Sequence, residues 1–276
     1  MKIINLMENV EGAQGCVAAH GLSFWIETQR HCVLMDAGPS PELLLHNAKA
    51  LGIDLAKADV AVLSHGHYDH SDGLTALGEH TKIYLHKSCA DGFYSGSGEN
   101  LHYIGMSPEV KALRQLEWLE GDCELDEELL VFSGISGRRC WPEGNRKLTV
   151  QWNESFVQDD FGHEQCLLVR ENGKTVLFSG CAHNGILNVL DRCMEVCGQA
   201  PDAVVSGFHM KKNEAYTAEE EKTIRETAQE LLKWPCRFYT GHCTGLPAFA
   251  ILKEIMGDRL AYVRCGETVQ IGTEKA

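Results

Sequence analysis

Residues 64–73, Ser-His-Gly-His-Tyr-Asp-His-Ser-Asp-Gly, constrain this chain more than any other stretch. His65, His67, Asp69 and His70 crowd into six residues. Directly before them runs Asp59-Val60-Ala61-Val62-Leu63, whose apolar, β-branched character reads as a buried strand. The polar cluster therefore sits on the loop leaving the strand's C-terminal end. Imidazole and carboxylate together suit zinc, iron or manganese. Side chains two apart on extended chain point the same way. His65 and His67 can therefore share one ion, with Asp69 and His70 past the bend and free to reach a second.

Composition narrows the rest. The 276 residues are 44% hydrophobic, ample for a core, and carry a formal net charge of −14 from 39 acids against 25 bases. That balance argues against nucleic acid or an anionic membrane as the main partner. It leaves room for a local basic pocket holding a small anionic substrate. No apolar run approaches the roughly 18 residues of a membrane span. The first residues, Met1 to Asn9, read as a strand and not as a secretory leader. The 12 cysteines are scattered, with no Cys-x-x-Cys pair, so free thiols in a reducing cytoplasm are expected. Oligomeric state is left open.

The chain reads as one domain over residues 1–276, with an irregular lid or insert at about 88–160. Ser23–Glu27 and Cys32–Asp36 form a hairpin, and Ser40 and Pro41 open a helix. A second helix is expected from Pro108 to Glu120. Within the irregular part, Arg138, Arg139, Arg146 and Lys147 fall in ten residues beside Trp141. They suggest a phosphate-binding wall with a ring for a heterocycle, and Arg138, Arg139 and Trp141 are the expected substrate contacts. Asn172-Gly173 between two apolar runs marks a hairpin. Thr217 to Glu220 is a capping box opening a late helix.

The second half echoes the first. Residues 33–36 are matched by 176–179, and 59–67 by 202–209. Two related strand–helix–strand halves about a pseudo-twofold are expected, with functional residues gathered where their sheets meet. Three further histidines, His183, His209 and His242, each follow an apolar strand. Several strand-end histidines beside a metal loop point to shared ligation.

His65-Gly66-His67-Tyr68-Asp69-His70 resembles the His-x-His-x-Asp-His signature of the metallo-β-lactamase superfamily. Together with Leu34–Gly38, Ser179–Ile186, Gly207–His209 and Gly241–Gly245, it is similar to the branch of dihydropterin ribofuranosylaminobenzene 5'-phosphate synthases and related hydrolases. The resemblance implies a four-layer αββα sandwich and two divalent ions, zinc before manganese or iron. It implies that His65 and His67 hold one ion with a third residue, and that Asp69, His70 and His242 hold the other. His183 is the expected remaining ligand, with His163 and Cys181 as rivals. Asp36 and Cys181 are expected beside the ligands, and His209 on the substrate side. Cys181 stands where many relatives carry a bridging Asp. The activity implied is hydrolysis of a phosphoester or other anionic small molecule by a metal-activated water, in which Asp69 also orients the nucleophile. The alternative is a synthase whose metals activate a diphosphate leaving group.

Overall fold

A computed structural model describes residues 1–272. Two seven-stranded sheets pack face to face. Across the first, the order is Thr268–Gln270, Lys2–Met7, Ser23–Glu27, Cys32–Met35, Val60–Val62, Lys82–His86 and Leu116–Leu119. Across the second it is Cys123–Glu124, Leu129–Phe132, Cys166–Glu171, Lys174–Ser179, Ala203–Ser206, Arg237–Thr240 and Leu260–Tyr262. Each sheet begins with three antiparallel pairings and ends with three parallel ones. The expected duplication is thus present in topology.

Alternation along the strands builds the layers. Val33 and Met35 of one sheet, and Val176 and Phe178 of the other, point into the core between the sheets. Leu34 points the opposite way, toward the helix Pro41–Ala50. Leu177 points toward the helices Ile186–Cys197, Ala218–Leu231 and Leu246–Met256. With both faces covered, these strands are apolar throughout. The result is the expected αββα sandwich. Local signals set the helix ends: Ser40 Oγ accepts from Leu43 N–H, and Thr217 and Glu220 make a reciprocal capping box. No helix among the described residues is long and apolar enough to cross a membrane.

Two expectations are corrected. Only Pro108–Lys111 is helical. Leu116–Leu119 instead pairs in parallel with Lys82–His86, because the open sheet edge offers its backbone a full ladder. Nor is 88–160 irregular throughout. Leu116–Leu119, Cys123–Glu124 and Leu129–Phe132 belong to the main sheets, and Ser155–Gln158, Leu148–Trp152, Phe93–Ser95 and His102–Tyr103 form a separate four-stranded sheet.

Candidate metal centre

The parallel strands of both sheets end on one side of the molecule, where open α/β sheets place their ligands. The loop after Met35 carries Asp36, and the loop after Val62 carries His65 and His67. The short helix Tyr68–Ser71 holds Asp69 and His70. The second sheet delivers Cys181 and His183 after Ser179, His209 after Ser206, and His242 after Thr240. Asp36, Ala182, His209 and His242 all have left-handed backbones, with φ of 58°, 51°, 48° and 48°. Such residues cost about 1–3 kcal/mol each and persist only where the surroundings hold them. The two halves close tightly here: a Cβ on Gly180 would stand 2.1 Å from Ser64 Oγ.

Hydrogen bonds fix the imidazole tautomers. His70 Nδ1 faces Asp36 Oδ2 at 2.7 Å and donates to it. Ser64 Oγ gives its one proton to the same oxygen at 2.8 Å, so it accepts from His65 Nδ1 at 2.8 Å. Asn145 Nδ2 donates to the His183 carbonyl, which leaves its Oδ1 to accept from His183 Nδ1 at 2.9 Å. Asn9 Oδ1 accepts from Gly21 N–H and from His242 Nδ1, the latter at 2.9 Å. In neutral rings, all four Nε2 atoms then carry lone pairs.

Those lone pairs converge. His65 Nε2 lies 3.3 Å from His183 Nε2, and His67 Nε2 nearby is buried with no partner at all. His70 Nε2 lies 3.2 Å from His242 Nε2 and 3.2 Å from Cys181 Sγ. Asp69 Oδ2 is 3.3 Å from His242 Nε2 and 3.7 Å from His70 Nε2. Facing acceptors this close repel unless a cation lies between them. Ligand nitrogens on a tetrahedron with bonds of about 2.0–2.1 Å stand roughly 3.3 Å apart. The donor set therefore fits divalent ions in two adjoining clusters. One is His65, His67 and His183; the pairwise distances gather Asp69, His70, His242 and Cys181 as the other.

Charge follows the same division. Burial, with neighbouring imidazoles, holds His65 and His183 well below the usual histidine range. His67 is pushed down to about 3, chiefly by burial. All three are neutral, as ligands must be. His70 differs: burial opposes its charge, but Asp36 and Asp69 outweigh it and raise it to about 9. Burial likewise opposes the Asp69 carboxylate, yet His70 and His242 hold it far below the usual range. The carboxylates of the second cluster thus stabilise a positive charge there, whether a proton on His70 or a metal ion in its place.

His163 has both nitrogens engaged, Nδ1 accepting from Gly66 N–H at 3.0 Å and Nε2 donating to Asp159 at 3.1 Å, so it braces the histidine loop. Cys181, expected behind the ligands, has its sulfur among the donor atoms. His209 has its ring centroid 4.1 Å from that of His183, and its Nδ1 is buried without a partner. Beside it opens a cavity of about 400 Å³ lined by His20, Lys147, His209 and Lys211 among others.

The expected contacts Arg138, Arg139 and Trp141 do not line that cavity. Arg139 is drawn to Asp191 and Glu230 on neighbouring helices. Arg138 binds Asn184 Oδ1 and the Asp160 carbonyl and lies over Trp141. Of the basic segment, Lys147 reaches the cavity. Sequence reasoning also passed over Asn9, Asn145, Glu8 and Glu164. Buried Glu8 accepts from His242 N–H and Tyr262 O–H. Glu164 accepts from His183 N–H at 2.6 Å and Asn184 N–H at 2.9 Å. No local pattern marks them, because their partners are far away in the chain.

Comparison with known proteins agrees with this geometry. The family model described as "Beta-lactamase superfamily domain" matches residues 31–180. The crystal structure of Tm1679, described as a metal-dependent hydrolase of the β-lactamase superfamily, superposes with a TM-score of 0.84 at 28% identity. That match covers 98% of this chain and 99% of the other. The uncharacterized protein MJ0448 of Methanocaldococcus jannaschii is 27% identical, over 92% of this chain and 94% of its own length. The 7,8-dihydropterin-6-methyl-4-(β-D-ribofuranosyl)-aminobenzene-5'-phosphate synthase of the same organism is 25% identical, over 98% and 96%.

Proposed function

Because this chain belongs to the β-lactamase superfamily, we propose that it is a hydrolase of phosphoesters or similar anionic small molecules, dependent on two divalent ions, zinc foremost. The observation that carries this reading is the convergence of the Nε2 lone pairs of His65, His70, His183 and His242, each oriented by a partner behind it. Bound there, divalent ions supply Lewis acidity, an activated water and neutralisation of charge on the scissile group.

The protein's own residues do the rest. His65, His67 and His183 would hold one ion, and Asp69, His70, His242 and Cys181 the other. Asp69 also offers an acceptor that orients the attacking water. Asp36 keeps His70 and, through Ser64, His65 in the tautomers that bind metal. His209, on the cavity wall, serves the substrate as an acid or hydrogen-bond donor. The first test is turnover of a panel of phosphomonoesters and cyclic and acyclic phosphodiesters by zinc- and manganese-loaded protein. Release of alcohol with phosphate or phosphomonoester, lost in His67→Ala, supports the reading; a loaded protein inert to every member overturns it.

A second reading is favoured by the full-length similarity to the pterin synthase. In it the same residues would hold metals that activate a diphosphate leaving group. Mass spectrometry of products from a dihydropterin diphosphate and a ribosylaminobenzene phosphate separates the two: a coupled product means transfer.

A further inference from the structure

The segment after His209 is pinned to the loop that carries His242. Met210 N–H and Lys211 N–H both donate to the Cys243 carbonyl, at 2.9 and 2.7 Å. The stem of Lys211 crosses Gly245, where a Cβ would approach its Cβ and Cγ to 3.1 Å. Gly245 has φ of 71°, so it suits this place twice over. Lys211 is thereby held beside the second ligand cluster. Its charge acts on His20, whose Nε2 lies 3.3 Å from Asp69 Oδ2.

The neighbouring lysine shows what Lys211 lacks. Lys212 is engaged by both oxygens of Glu220, each at 2.8 Å. Among the described residues, neither Lys211 nor Lys147 has a carboxylate within ion-pair distance, though both line the 400 Å³ cavity. Glu143 on the cavity wall is taken by Arg146, which leaves Glu214 as the acid there without an ion pair. Both lysines are exposed on the cavity wall, and an anion in the cavity gains from two cations that have no carboxylate of their own. Met210, Tyr216 and Ile224 supply an apolar wall. The volume lies at the small end of ligand pockets, roughly 300–1,000 Å³.

We propose that this cavity is the substrate site and takes a small organic phosphate with a ring-sized apolar body. Lys211 and Lys147 bind the anionic oxygens, and Met210, Tyr216 and Ile224 cover the ring. This rests on the phosphoester reading above and names its substrate class. It moves anion recognition from the arginines of 138–139 to two lysines from separate segments.

Calorimetric titration of zinc-loaded protein with phenylphosphonate, which is not hydrolysed, tests the site without turnover. Charge-assisted hydrogen bonds of ordinary strength predict that Lys211→Ala weakens binding about tenfold or more. Lys147→Ala weakens it less, Lys211→Arg retains most of it, and metal content is unchanged in all. The paired Lys212→Ala binds as the wild type does. Phenylphosphonate binding that depends on Lys211, with no phosphoester turned over, keeps the site and sinks the hydrolase reading. Wild-type binding by Lys211→Ala, or no binding by the metal-loaded wild type, overturns the site.

Discussion

The two ligand clusters share a wall but differ in charge. His65, His67 and His183 are three neutral imidazoles, kept so by burial. Asp69, His70, His242 and Cys181 include a carboxylate and a thiol, with Asp36 hydrogen-bonded behind His70. A dication gains more from an anionic ligand set than from a neutral one. The second cluster is therefore expected to be the more retentive, and the first to depend more on how well its rings are held. The fold explains this asymmetry. The first sheet packs its ligands into one turn, while the second sheet adds Cys181 and His183 after Ser179 and His242 after Thr240, so each half lends residues to both clusters.

The largest expected effect comes from removing a ligand of the neutral cluster. His67→Ala leaves His65 and His183 a ligand short. We expect the protein to keep about one ion per chain, while activity falls about a thousandfold, the value of several kcal/mol of lost charge stabilisation. Elemental analysis beside a rate measurement reads both; loss of both ions would mean that the clusters bind as one unit.

Asp36→Asn should act on both clusters at once, because one carboxylate serves His70 directly and His65 through Ser64. Asparagine tolerates the left-handed backbone of this position, so the fold survives. Affinity for metal should drop about 10–100-fold at each site, measured by competition with a chromophoric chelator. A drop confined to one site would break the link between them.

Cys181→Ser sharpens the comparison further. With cobalt in place of the native ion, the wild type should show a thiolate-to-metal charge-transfer band, absent in the variant. Cobalt content should fall by no more than one equivalent. A band that persists would take Cys181 out of the second cluster.

The smallest effect lies outside both clusters. His31 sits between Asp59 and Asp126, at 2.5 and 2.6 Å. Burial lowers its pKa, but the two carboxylates outweigh this and raise it above its usual value. A raised folded pKa gives stability that is complete below the unfolded value and is lost as pH rises through the folded one. The partly solvated setting, with Asp59 half exposed, limits the gain to under about 1 kcal/mol. The urea midpoint of the wild type should fall slightly from pH 6 to pH 9, and that of His31→Gln should not share the fall. Parallel midpoints in the two proteins would remove the effect.

The sequence exposed what is local. Continuous apolar, β-branched runs gave the strands, and a dense histidine turn after one such run gave the ligand loop. Apolar strands ahead of His183 and His242, with the resemblance of Ser179–Ile186 and Gly241–Gly245, marked where the second sheet delivers them. What stayed hidden depends on distant partners. Asn9 and Glu8 hold His242 across more than 230 residues, a relation no periodicity records. Arg138 and Arg139 looked like anion binders because their chain neighbourhood is basic, yet Asp191 and Glu230, on other helices, decide where Arg139 points. Leu116–Leu119 became a strand because a sheet edge awaited it. The sulfur of Cys181 enters the ligand set through the approach of Gly180 to Ser64, and that closeness is a property of the packed halves.

The account rests on two ions at the junction of those halves. The most direct measurement is elemental analysis of the protein purified without added metal and after dialysis against zinc. The account predicts about two divalent ions per chain, about one of them lost in His67→Ala. Wild-type protein that binds none under either condition would contradict it.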